Sequence, residues 1–151
     1  MKKLYEIYQK IIKDIVFKFE QENEDRAKYY AISDGVIVGS ITFETVMCGY
    51  REFETEMGED RYDEIFPEDR YVKIENLEVD NDFQGQGFAK LLLQKCIDHS
   101  KQLGETVIYL NASPKGFYGL NINDLVGFYK SFGFSIIVDD YTHNKEMVKY
   151  I

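Results

Sequence analysis

The sequence predicts one α/β domain over residues 1–151, on a mixed, mostly antiparallel sheet of about seven strands with a central parallel pair and flanking helices. Three observations carry this. Residues 15–46 alternate as β-formers do and are broken by Asp34-Gly35, a strong two-residue hairpin signal. Residues 71–110 run as a strand, a glycine-bearing turn, a long amphipathic helix and a second strand. A strand–helix–strand unit of that length implies a right-handed crossover with its strands parallel. Residues 123–151 then supply one more helix and two short strands.

In order, Leu4, Ile7, Tyr8, Ile11 and Ile12 recur at helical spacing, so residues 2–13 read as an opening helix. Ile15, Phe17 and Phe19 alternate with Val16, Lys18 and Glu20 as a first strand, and the polar run 21–25 is a turn. Strands at 28–33 and 36–46 flank Asp34-Gly35, and the three together form an antiparallel meander. From Glu52 to Asp69 there are nine acidic residues and one basic residue, Arg61; residues 60–66 fit a short helix ended by Pro67. Tyr71 to Val79 is the fourth strand. Leu92, Leu93, Cys96, Ile97 and Leu103 mark one face of a helix from Ala89, stopped by Gly104. Thr106 to Leu110 is rich in β-formers and reads as a central strand. Residues 111–122 form a loop. The second helix runs from about 123 to 132, with Asn123 or Asp124 as N-cap and Gly133 as stop, and strands follow at 134–138 and 147–151.

Composition narrows the function. The formal charge is −9, which argues against nucleic acid as the main partner; a cationic amine is compatible, though solubility alone explains an acidic surface. Apolar runs are only a few residues long, so neither a membrane span nor a secretory leader is expected. Cys48 and Cys96 lie far apart with only His99 and His143 for company, too few ligands for a zinc site. They read as reduced thiols in a cytoplasmic protein. The acidic 52–69 segment lacks a calcium-loop pattern, so no metal is expected.

The chemistry centres on residues 77–97. Gly85 and Gly87 allow a sharp turn and a close ligand approach, and the first N–H groups of the helix behind them form an anion site suited to a pyrophosphate. A glycine pair before a helix is weak evidence alone, and this one lacks both the Walker ending and the dinucleotide spacing. The whole string Gln84-x-x-Gly87-x-Ala89, just after the Val79-Asp80 strand end, resembles the acyl-CoA loop of the GNAT superfamily of N-acetyltransferases. A second landmark lies downstream: Leu125-Val126-Gly127-Phe128-Tyr129-Lys130-Ser131-Phe132-Gly133-Phe134 resembles that superfamily's helix with a Tyr ahead of a Gly-Phe. Alone, Tyr129 would read as a core aromatic. The match covers about residues 71–138.

The resemblance implies the GNAT-type sheet, with its fourth and fifth strands splayed around acyl-CoA, and acetyl-CoA as co-substrate. Carried over, Leu77 and Val79 offer backbone groups to the pantetheine arm, and the N–H groups of Gln84, Gly85, Gln86, Gly87, Phe88, Ala89 and Lys90 hold the pyrophosphate. Tyr129 is the general acid toward the leaving thiolate, and the Val79 N–H is an oxyanion donor. Glu75, with Glu78 as the alternative on the same strand, is the carboxylate that deprotonates the amine through water. Relatives carry an Asn seven residues before the Tyr. Here that position is Ile122, and Asn123 is assigned the pantetheine contact. Relatives also have helices between their first two strands, walling the acceptor site; here they are missing or replaced by residues 2–13 and 51–66.

The implied activity is transfer of an acetyl group from acetyl-CoA to a primary amine of a small molecule or a protein, with no nucleic acid and no membrane involved; a homodimer is left open. An acidic 52–69 segment lining the acceptor cleft would favour a polycation. The rivals are a non-catalytic acyl-CoA-binding or regulatory domain, distinguished by absent turnover, and an interaction module that binds no CoA.

Overall fold

The computed structural model describes residues 15–49, 53, 57–113, 121–139 and 145–151. The expected opening helix at 2–13 lies outside them. Seven strands form one sheet: β1 (Ile15–Gln21), β2 (Arg26–Ser33), β3 (Val36–Met47), β4 (Arg70–Val79), β5 (Val107–Ala112), β6 (Ser135–Asp139) and β7 (Lys145–Tyr150). Their order is β1-β2-β3-β4-β5-β7-β6. Every pairing is antiparallel except β4 with β5, so the expected mixed sheet with a central parallel pair is observed.

The meander follows from its turns. Asn23 Oδ1 accepts from the N–H groups of Asp25 and Arg26, both at 2.9 Å, which closes the β1–β2 connection. Asp34 and Gly35 both take positive φ, 50° and 78°, as a two-residue hairpin matching the strand twist requires.

Three helices pack on the described sheet: α1 (Glu59–Ile65), α2 (Phe88–Gln102) and α3 (Ile122–Ser131). α2 lies across β2, β3 and β4, and α3 against β5. Leu92, Leu93, Cys96 and Ile97 of α2 and Leu125, Val126 and Tyr129 of α3 join Val38, Ile41, Ile74, Leu77, Ile108 and Leu110 in one core. Full burial of each large apolar side chain contributes about 1.5–3 kcal/mol. Burial pushes the Cys96 thiol up to about 12, so it is a neutral packing group, whereas Cys48 is exposed.

The other face carries a second, aromatic core of Phe53, Tyr62, Phe66, Tyr71 and Tyr109, with ring centroids as close as 4.6 Å between Phe66 and Tyr71. This settles the position of the described part of the acidic segment. Tyr62, Ile65 and Phe66 point inward, and the chain around them reaches the far end of the sheet: Arg61 Nη2 donates to Ile137 O at 3.1 Å, Tyr150 OH to Ile65 O at 3.1 Å and Thr106 Oγ1 to Glu68 Oε2 at 3.3 Å. The start of β4 is tied there as well, where Arg70 Nε donates to the buried Glu105 at 3.0 Å and Nη2 makes a second contact.

Candidate functional site: the gap between β4 and β5

Strands β4 and β5 are paired only where they begin. Their register runs Val72–Ile108, Lys73–Tyr109 and Ile74–Leu110 and stops there, although β4 continues to Val79. The parting coincides with a β-bulge. Against β3, Phe43 faces Ile74 and Thr42 faces Asn76, so Glu75 is the extra residue. Side-chain parity shifts by one across it: Val72 and Ile74 enter the α2 core before the bulge, Leu77 and Val79 after it. A strict alternation from Ile74 would have buried Asn76 and Glu78 instead.

The bulge also settles where the β4 backbone points. Asp80 N–H donates to Val38 O at 2.8 Å, so residue 80 faces β3. Alternation then turns the N–H and C=O groups of Leu77 and Val79 away from β3, toward the gap. Ile74, Glu75, Asn76 and Leu77 line one wall of a cleft of about 240 Å³, with Leu110, Asn111, Ser113 and Tyr129 opposite.

At one end of the gap stands the glycine loop. A 3₁₀ turn (Asn81–Phe83) leaves the strand, and Gln84 Nε2 reaches back to Val79 O at 3.2 Å and Asn81 Oδ1 at 3.3 Å. Gln84 N–H is directed at Asn81 O at 3.4 Å, so both polar ends of this residue shape the loop. Gly85 and Gly87 have φ of 79° and 88°. The first bond of α2 runs from Leu91 N to Gly87 O at 3.2 Å. From Gly85 to Lys90 the N–H groups have no backbone acceptor among the described residues, no side chain caps the helix, and its first turn holds no acidic residue. The Phe88 side chain is buried in the core behind the loop. An anion is the natural complement to this set of donors.

Opposite, α3 brings Tyr129 to the cleft. Its ring is 5% exposed and packs against Phe128 and Phe134 at centroid distances of 5.2 and 5.8 Å. Burial, with a smaller contribution from the Cys96 thiol, raises the phenol above its ordinary value, so the hydroxyl keeps its proton. The cap of this helix corrects the sequence reading. Asn121, not Asn123 or Asp124, is the N-cap, its Oδ1 accepting from Asp124 N–H at 2.9 Å. The signal was present as Asn121-x-x-Asp124, a cap residue with an acid in the first turn. Asn121→Ala should destabilise the fold by about 1 kcal/mol, read as a lower denaturant midpoint at constant slope. Asn123 is exposed in the first turn and is not among the cleft-lining residues. Ile122, nearly two full turns before Tyr129 and hence on its face, packs against the core.

Both candidate glutamates are exposed; Glu75 lines the cleft, whereas Glu78 does not and takes a hydrogen bond from Asn76 Nδ2. None of the cleft-lining residues comes from 52–69, so the described acidic residues do not wall it and give a polycationic acceptor no support. Asn111 and Ser113 on the β5 side were not singled out from the sequence. A lone Asn at a strand end carries no pattern.

The model of the acetyltransferase (GNAT) family matches residues 2–134. No curated protein matches the sequence. Solved structures of similar shape include the ribosomal-protein-S18-alanine N-acetyltransferase of Escherichia coli, at 17% identity over 100% of this chain and 89% of that one, TM-score 0.61. Arabidopsis thaliana NAA60 in complex with acetyl-CoA is similar at 21% identity over 99% and 92% of the two chains, TM-score 0.60. PaiA N-acetyltransferase of Thermoplasma acidophilum in complex with coenzyme A is similar at 16% identity over 97% and 70%, TM-score 0.60. At these identities the likeness speaks for the fold.

Proposed function

The chain belongs to the acetyltransferase (GNAT) family, a family of acetyl-CoA-dependent acyltransferases, and on that premise we propose that it moves an acetyl group from acetyl-CoA to a primary amine by direct attack. The observation that carries the reading is the coincidence of three features: the parting of β4 and β5 beyond Ile74–Leu110, the unpaired donors from Gly85 to Lys90, and the buried Tyr129 across the gap.

In this reading the loop donors hold the pyrophosphate, and the gap-facing backbone of Leu77 and Val79 pairs with the pantetheine amides. An acidic protein can bind this polyanion because backbone dipoles do so without a basic side chain. Attack requires a neutral amine, since an ammonium has no lone pair; Glu75 takes the proton through a water. The new C–N bond forms as the thioester carbonyl becomes an oxyanion, which the Val79 N–H stabilises. As the C–S bond breaks, Tyr129 donates to the sulfur as general acid. The products are an acetamide and the free thiol, with one proton lost by the amine and one gained by sulfur. Asn123 is assigned a supporting contact to the pantetheine arm from the first turn of α3. The acceptor is an amine of a small molecule or of a protein. Among the described residues no helix is long and apolar enough to cross a membrane.

Thermal unfolding with and without acetyl-CoA tests the reading, with CoA and ATP as controls. At 100 times Kd, ligand should add about 2.7 kcal/mol, a shift of several degrees at this size. A shift with acetyl-CoA and CoA but not ATP, followed by thiol release with an amine from a panel, is the expected result. No shift at millimolar ligand would remove the proposal. A shift without thiol release from any amine would move the reading to an acyl-CoA-binding domain.

A further inference from the structure

Glu75 does not stand alone at the bulge. Cross-strand register sets Arg26 of β2 opposite Glu44 of β3, and Glu44 opposite Lys73 of β4. These three form a charged row across the sheet face away from α2, and the bulge places Glu75 beside that row while leaving it on the cleft wall. Arg26 Nη1 pairs with Glu75 Oε2, and Arg26 Nε with Glu22 Oε2 at 2.7 Å.

We propose that Arg26 on β2 and Glu44 on β3 are positioning residues for Glu75, fixing its carboxylate at the cleft where an acceptor amine must lose its proton. The inference rests on the reading of Glu75 as that base. A glutamate side chain free to rotate spreads over several rotamers, and few of these would hold a water between carboxylate and amine. The Arg26 guanidinium reaches across β3 to pair with Glu75, and this ion pair limits the rotamers open to the carboxylate.

Glu44 makes this more than one ion pair. Burial raises its carboxyl above the ordinary glutamate range, and the neighbouring Glu75 carboxylate adds to the effect; Lys73 and Arg26 act the other way. As pH falls, Glu44 therefore takes up a proton earlier than an ordinary glutamate. The charged groups facing Glu44 are Arg26 and Lys28 from β2, Lys73 and Glu75 from β4, and Glu22 from the turn through Arg26. Of these, Lys28 is turned over the Tyr30 ring, 4.8 Å from its centroid.

The test is a carbon-13 NMR titration of the glutamate carboxyls in the whole chain, without ligand, for the wild type, Glu75→Gln and Arg26→Gln. Glu44 should titrate above the ordinary range, move to lower pH in Glu75→Gln, which removes a neighbouring negative charge, and move to higher pH in Arg26→Gln, which removes a positive one. An unchanged Glu44 midpoint in both variants overturns the proposal. Should Arg26→Gln fail to fold, Arg26→Lys and Glu75→Gln decide it, with Arg26→Lys expected to leave Glu44 near its wild-type midpoint. Arg26→Gln should also keep the full acetyl-CoA-induced thermal shift; losing it would mark a general structural role and likewise overturn the assignment. Because the titration needs neither acetyl-CoA nor an acceptor, its failure leaves the acetyl-transfer reading standing. That reading falls separately if the wild type shows no acetyl-CoA shift.

Discussion

Tyr129→Phe should lower kcat by about 10²–10⁴-fold while the protein folds normally and keeps its acetyl-CoA-induced thermal shift. The separation of the two effects follows from where the hydroxyl sits. The ring is buried between Phe128 and Phe134 and phenylalanine preserves those contacts. The substitution removes only the hydroxyl of a residue that lines the cleft. What disappears is the donor that the proposed mechanism directs at the sulfur.

The direction of the Tyr129 shift sharpens this prediction. Burial holds the proton on the phenol, so no alkaline limb from Tyr129 should appear below its ordinary pKa of about 10. A phenol raised in this way is a weaker acid than the thiol it helps to form. In the proposed mechanism Tyr129 therefore hydrogen-bonds to the sulfur as the C–S bond breaks, passes its proton as the thiolate forms, and is reprotonated from solvent. Full turnover in Tyr129→Phe, measured as thiol release with the amine found by the panel, would remove the residue from the chemistry.

What could be read from the sequence divides along physical lines. The meander, the crossover and the helices were legible because each depends on local signals: alternation, the Asp34-Gly35 turn, helical spacing, and glycine stops at Gly104 and Gly133, which take φ of 78° and 91°. The glycine loop was legible because backbone at the φ of 79° and 88° found there favours a residue without Cβ. The bulge was not. Glu75 shares strand parity with Leu77 and Val79, and only pairing with β3 shows that it is the residue left over. The same limit hid Arg26 and Glu44, which meet Glu75 through register across three strands rather than through any sequence spacing. The acidic segment was misleading in a different way. Its charges suggested an acceptor wall, but its aromatics decide its place, since Phe53, Tyr62 and Phe66 seek the second core.

Gly87→Val should abolish the acetyl-CoA-induced shift, a loss of about 2.7 kcal/mol of ligand stabilisation at 100 times the wild-type Kd. Gly87 is the N-cap of α2, with φ 88° and ψ 6°, a left-handed conformation that a β-branched residue resists at a cost of about 1–2 kcal/mol. Space is not the obstacle: no atom lies within 4 Å of a Cβ built there. The strain is in the backbone, and the loop relieves it by rotating the peptide units that aim the N–H groups from Gly85 to Lys90 outward. The ligand-free variant should thus lose only a few degrees of Tm, whereas the response to acetyl-CoA goes entirely. Gly127→Ala is the matched control. Gly127 lies on the exposed side of α3, also with open space around a built Cβ but in ordinary helical geometry. Alanine there should stabilise the fold by about 0.5–1 kcal/mol and leave the ligand shift whole. If instead Gly87→Val kept the full shift, the donors from Gly85 to Lys90 would not be what holds the pyrophosphate, and the binding energy would have to come from the gap between β4 and β5 alone.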